Sequence, residues 1–176
     1  MRTTHSLAAA ADSGNGLRAR LAPPLHRAIG VMSRIPHSAI ALLARFAIAA
    51  VFWKSGQTKI EGLAIDLVGG EFQFGWPHLA DSAVALFRDE YKLPLLSPEL
   101  AALLAAIGEH LLPIFVLLGL GTRFAAFGLL GMTAVIQLLV YPGAWPTHGV
   151  WAAVLLWLMA LGPGRISIDH WIDARK

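Results

Sequence analysis

Apolar residues gather into four long runs, at 38–53, 99–119, 123–141 and 148–161. Inside each run, polar residues do not return every third or fourth position, as they would on the outer face of a water-soluble helix. A helix rises about 1.5 Å per residue, so roughly 20 residues cross a hydrocarbon core about 30 Å thick. The pattern predicts an all-α chain: a four-helix transmembrane bundle. Its second and third spans form a hairpin closed by Gly119-Leu120-Gly121-Thr122-Arg123. The first span is short, and Lys54 and Lys59 extend its usable length by reaching to the interface. The fourth is the shortest, ended by Gly162-Pro163-Gly164.

Between the first two spans, residues 54–98 make a long polar connection of mixed charge. Within it, 79–91 sets Ala80, Ala83, Val84, Phe87 and Tyr91 at helical spacing, which predicts an amphipathic helix lying on the membrane or capping the bundle. Phe72, Phe74 and Trp76 are expected to anchor at the interface, and Pro98 suits the first turn of the second span. Residues 1–37 carry five arginines and three histidines among the breakers Gly14, Gly16, Pro23, Pro24 and Pro36, and read as a mobile basic arm. The expected division is arm 1–37, membrane domain 38–172 and tail 173–176. Within 165–176, Ile166, Ile168, Trp171 and Ile172 alternate with polar positions, as in an interfacial turn or short helix.

Composition sharpens this picture. Of 176 residues, 56% are hydrophobic and only 14% charged, against about 25% charged in ordinary globular domains; the mean hydropathy is +0.61. The pI near 9.7 does not point to nucleic acid, because the basic residues flank apolar runs and no aromatics interleave with them. Nine lysines and arginines fall on the side of the termini and the 119–123 turn, and four on the side of the 54–98 loop. The positive-inside rule therefore puts both termini in the cytoplasm and that loop outside. Residues 1–11 read as a poor signal peptide, because Asp12, Ser13 and Gly14 interrupt the apolar stretch where it is expected to continue. With no cysteine, the chain has no disulfide, thiolate relay or CxxC centre of its own.

Candidate chemistry is sparse. Arg45 falls near the middle of the first span and Glu109 near the middle of the second, so antiparallel packing would bring them to one depth. A charge at mid-bilayer costs several kcal/mol unless paired. The pair reads either as a buried ion pair that fixes helix register, or as a proton-accepting carboxylate or the polar floor of a quinone or substrate pocket. His110 lies about 100° round the helix from Glu109; it is a histidine hydrogen-bonded within the bundle or, alternatively, a ligand or proton shuttle. Lys54, Lys59, Gln137 and His148 gather near the loop end, where they line a pocket mouth or simply anchor the interface. No metal site is expected: the seven histidines show no H-x₃₋₅-H or HExxH spacing. Haem is disfavoured, since no second mid-membrane histidine faces His110. Gly119, Gly121, Gly128 and Gly131 read as turn and close-packing glycines rather than a phosphate loop, and Ser55, Thr58 and Thr133 as isolated hydroxyls.

Taken in order, these motifs resemble the DoxX family of small bacterial inner-membrane proteins. The matching pieces are Arg45-Phe46, then Phe52-Trp53-Lys54-Ser55-Gly56-Gln57-Thr58-Lys59, then Leu86-Phe87 with Glu90-Tyr91 and Pro94-Leu95-Leu96. Glu109 ahead of Leu118-Gly119-Leu120-Gly121-Thr122-Arg123 follows, and then His148, Trp151 and residues 162–169. The resemblance covers about 38–172 and implies a four-helix bundle in the inner membrane, with the 54–98 loop periplasmic. Some members of the family are associated with quinone-linked thiosulfate oxidation or with oxidoreductase assemblies against oxidative stress. The subgroup with an EY-x-x-PLL segment resembles one found beside peptide-modifying iron oxygenases. The expected role is therefore an inner-membrane subunit of a redox-linked or stress-response system. It would meet quinone as its cofactor and work with an oxidoreductase or peptide-modifying oxygenase partner. The alternatives are a small transporter and a membrane scaffold without redox chemistry. Any electron-carrying centre would belong to the quinone or to the partner.

Overall fold

The structure, a computed structural model, describes residues 26–27, 29–66 and 69–175. Most of the expected basic arm lies outside these residues. Two compact units divide the chain, 1–36 and 37–176. In the described part of the first, residues 26–27 and 29–32 are helical, and the Ser33 hydroxyl donates to the Gly30 carbonyl at 3.1 Å.

The second unit is mostly helical. Four helices are long and apolar enough to cross a membrane: His37–Gln57, Pro98–Leu118, Thr122–Val140 and Pro142–Leu161. In chain order the elements are α1 (His37–Gln57), β1 (Ile60–Asp66), β2 (Glu71–Leu79), α2 (Asp81–Leu86), α3 (Pro98–Leu118), α4 (Thr122–Val135), α5 (Trp145–Leu161) and α6 (Ile168–Asp173). Two π-helical turns interrupt the regular pattern: Phe87–Tyr91 continues α2, and Ile136–Val140 continues α4. The last span begins earlier than its apolar core at His148, because Pro142–Ala144 forms a 3₁₀ turn leading straight into Trp145.

Neighbours run α1–α3, α3–α4, α4–α5 and α5–α1, a closed four-helix ring. On α1 the buried positions Ala41, Arg45, Ile48, Ala49, Phe52 and Gly56 fall on one stripe at helical spacing. Ile48 and Phe52 meet Val116, Leu129, Leu155 and Leu158 in the central core. The outward faces remain apolar, with Leu43, Phe46, Phe124, Phe127 and Leu138 exposed. In water that surface would drive association, whereas in a bilayer it is the solvent face. This is a multi-pass membrane protein.

The loop between the first two spans departs from an all-α chain. β1 and β2 pair antiparallel, Ile60 opposite Leu79 and Asp66 opposite Glu71. The end of α1 clamps the hairpin: Trp53 Nε1 donates to the Ile65 carbonyl at 3.0 Å, and Ile65 N–H donates to Gln57 Oε1 at 2.6 Å. Lys59 sits at the hairpin base, its carbonyl accepting from Ala80 N–H at 3.0 Å. Beyond it Ala80, Ala83 and Phe87 pack on Ala101 and Ala102 of α3.

Candidate functional site

Glu109 lies near the middle of α3, its side chain 3% exposed. Its partner is Lys59, also almost wholly buried, whose ammonium is 2.7 Å from Oε2. Ser55 completes the group. Its hydroxyl donates to Glu109 Oε1 at 3.1 Å, and Lys59 Nζ donates to the Ser55 hydroxyl at 3.2 Å. The ammonium is the one partner of Oε2 among the described residues. Local sequence makes the approach possible. A Cβ on Gly56 would stand 2.9 Å from His110 Cε1 and 3.1 Å from the Glu109 Cβ, so only glycine lets α1 pack this close to α3. Four residues beyond Glu109, Pro113 has no N–H to return to the Glu109 carbonyl.

The expected Arg45–Glu109 pair does not form. Counting inward from the span ends assumes flush helices, but α1 is displaced along α3: Ser55, in its last turn, faces Glu109, while Arg45 reaches the α3 C-terminus. There the guanidinium donates to the carbonyls of Val116 (2.8 Å), Leu117, Pro163 (3.1 Å) and Ile166. The neighbouring turn is held from the other side. The Asp169 carboxylate accepts from Gly121 N–H at 2.7 Å and from the N–H and hydroxyl of Thr122, each at 3.0 Å. A cation thus caps the end of α3 and an anion the start of α4, as the helix dipoles favour.

Beside Glu109 is a cavity of about 310 Å³ between α3, α4 and the two π-helical turns, at the lower end of small-molecule site sizes, about 300–1,000 Å³. Its lining is apolar (Phe87, Ala105, Met132 and Ile136 among it) except for Glu109 and Tyr91. Leu104 and Val135 line it while remaining half exposed on the outer face, so it opens toward lipid. Gly131 is also on the wall; a Cβ there would meet nothing within 4 Å. It is an open position of the cavity rather than the expected packing glycine, whereas Gly128 does pack, against Leu112. The Tyr91 phenol is held above its ordinary range by burial first and then by the Glu109 and Glu90 carboxylates. Tyr91 meets Tyr141 edge to face, ring centres 5.9 Å apart, and the Tyr141 hydroxyl donates to Glu90. That bond pushes the Tyr141 pKa up to about 12.

His110 points away from the carboxylate. Its Nδ1 lies 2.6 Å from the Ala106 carbonyl, which makes it the protonated nitrogen, and Nε2 then accepts from Gln57 Nε2 at 2.9 Å. The Trp53 ring packs edge-on against it at 5.0 Å. Gln137 and His148 are brought together: His148 Nδ1 is 2.8 Å from Gln137 Oε1, and Gln137 Nε2 donates to the Pro142 carbonyl at 2.6 Å. Lys59 instead turns inward to Glu109, and Lys54 is exposed. None of the four lines the cavity.

Ser55 and Tyr91 were the residues that spacing did not assign. A serine one turn before Lys59 on the closing face of α1 carried a usable signal. Tyr91, at the end of an amphipathic stretch, looked like packing.

The sequence model of the DoxX family, described as DoxX, matches residues 40–142. No curated protein and no solved structure matches the chain.

Proposed function

Because the chain belongs to the DoxX family, and because its buried acid opens on a lipid-facing cavity, we propose that it is an inner-membrane subunit of a redox-linked system that binds a quinone-type ring beside Glu109. The observation that carries this reading is an apolar cavity of about 310 Å³ with the buried, Lys59-paired carboxylate of Glu109 on its wall. A planar ring with an oxygen at its edge suits such a wall: the ring lies on Ala105 and Met132, and the oxygen meets Glu109. Reduction of a quinone takes two electrons and two protons. A partner oxidoreductase would supply the electrons; Glu109, held by Lys59 and Ser55, would pass one proton to the ring oxygen it meets, and the second proton would come from water. The arginine and lysine distribution supports a topology with both termini in the cytoplasm and the β-hairpin in the periplasm.

The test is solvent extraction of protein purified in mild detergent, with Glu109→Gln alongside and a thermal melt of each. Stoichiometric quinone in the parent, lost in a variant that is destabilised by the unpaired Lys59 ammonium yet still melts cooperatively well above the assay temperature, is the expected result. No quinone in either protein would overturn the reading.

A further inference from the structure

The cavity has two polar groups, and only one has been used. Tyr91 comes from the π-helical turn Phe87–Tyr91, and this turn faces the second one, Ile136–Val140. Wide turns of this kind are rare and occur often at functional sites, because they re-aim a side chain out of helical register. Here the backbone has a further irregularity: the turn ends on Lys92 at φ 45°, the single described non-glycine residue in the left-handed region. The result is a phenol on a wall that is otherwise, apart from Glu109, hydrocarbon. Its hydroxyl interacts with that of Tyr141, a partner that a ligand oxygen in the cavity can replace.

We propose that Tyr91 is the second polar contact of the ligand in this cavity, hydrogen-bonding a ring oxygen, and that Tyr141 and Glu90 are positioning residues that hold it there. This deepens the quinone reading and rests on it. A ligand with oxygens at two edges of a ring meets Glu109 from α3 and Tyr91 from the π-helical turn. A purely hydrocarbon ring of the same size meets only the apolar wall. Phe87 backs the Tyr91 ring at 4.6 Å between centres, Tyr141 stands edge-on to it, and the Tyr141 hydroxyl is tied to the exposed Glu90. The phenol is thus braced on two sides before any ligand arrives, which reduces the ordering cost of binding.

The experiment compares two ligands on the full chain in lipid nanodiscs: a decyl-substituted benzoquinone, and decylbenzene, which lacks the oxygens. Tyr91→Phe should weaken benzoquinone binding about tenfold, the scale of one hydrogen bond, and leave decylbenzene unchanged. Tyr141→Phe should produce a smaller loss, again for the quinone alone. Equal loss of both ligands in Tyr91→Phe would show a packing role and overturn the proposal, as would unchanged quinone affinity. If the parent binds the quinone and Glu109→Gln loses it while Tyr91→Phe does not, the Tyr91 assignment falls and the site stands. If the parent binds no quinone, both fall.

Discussion

Lys59 and Glu109 carry opposite charges with almost no access to solvent, so each stabilises the bundle only while the other is present. Removing one leaves an uncompensated buried charge, at a cost of about 3–5 kcal/mol; removing both costs far less. Lys59→Met and Glu109→Leu should therefore each destabilise the protein by that amount in detergent-unfolding titrations, and the double variant should recover most of the loss. If the two single losses simply add, the pair is not coupled. The chain's two tyrosines give a second check. Both phenols are raised from the ordinary 10.0, Tyr141 to about 12. A raised acid favours the folded state below pH 10, and that contribution is lost as pH rises through about 12. The folded protein should show little tyrosinate absorbance at pH 10. Glu90→Gln should bring the Tyr141 transition back toward 10, because the Glu90 bond is the largest cause of its shift.

Among the elements, the turn between α3 and α4 is held by residues far off in sequence. Arg45 satisfies carbonyls at the end of α3 and in the segment after α5, and Asp169 caps the start of α4. Arg45→Leu leaves several of these carbonyls without a donor and should cost at least about 3 kcal/mol. Asp169→Asn, which keeps an acceptor and loses the charge, should cost about 1 kcal/mol. Both are read from the same unfolding titration, and an undisturbed Arg45→Leu would remove the clasp from the account. These elements also show what was legible in the sequence. The four spans were, because their apolar runs are long and all-round. The displacement of α1 along α3 was not: span ends do not carry register, and that slip sent Arg45 to the helix terminus and left Glu109 to Lys59. The hairpin was written in the alternation of Phe72, Phe74 and Trp76 after Gly69-Gly70, but exposed aromatics at period two read equally as interface anchors. Glu109 itself was legible, as the one acid between Glu99 and Asp169. Its cavity was not, since Tyr91 and Gly131 come together only through the π-helical turns.

At the scale of the membrane domain, a lipid-facing ring of four helices holds an acid-walled cavity on its side, and the function proposed for the protein depends on that cavity being a ligand site. Gly131 offers a way to close it without disturbing the packing, since added atoms there meet open space. Gly131→Leu should raise or preserve thermal stability, because glycine is a weak helix former, and should abolish quinone binding. Retained binding would move the site elsewhere. The most direct measurement is photolabelling of the parent in membranes with an azido-benzoquinone, followed by peptide mapping. The account predicts label on the α3 stretch around Leu104–Glu109 and the α4 stretch around Gly131–Ile136, competed away by unlabelled quinone and absent in Gly131→Leu. Competable label confined to other segments, or none at all, would contradict it.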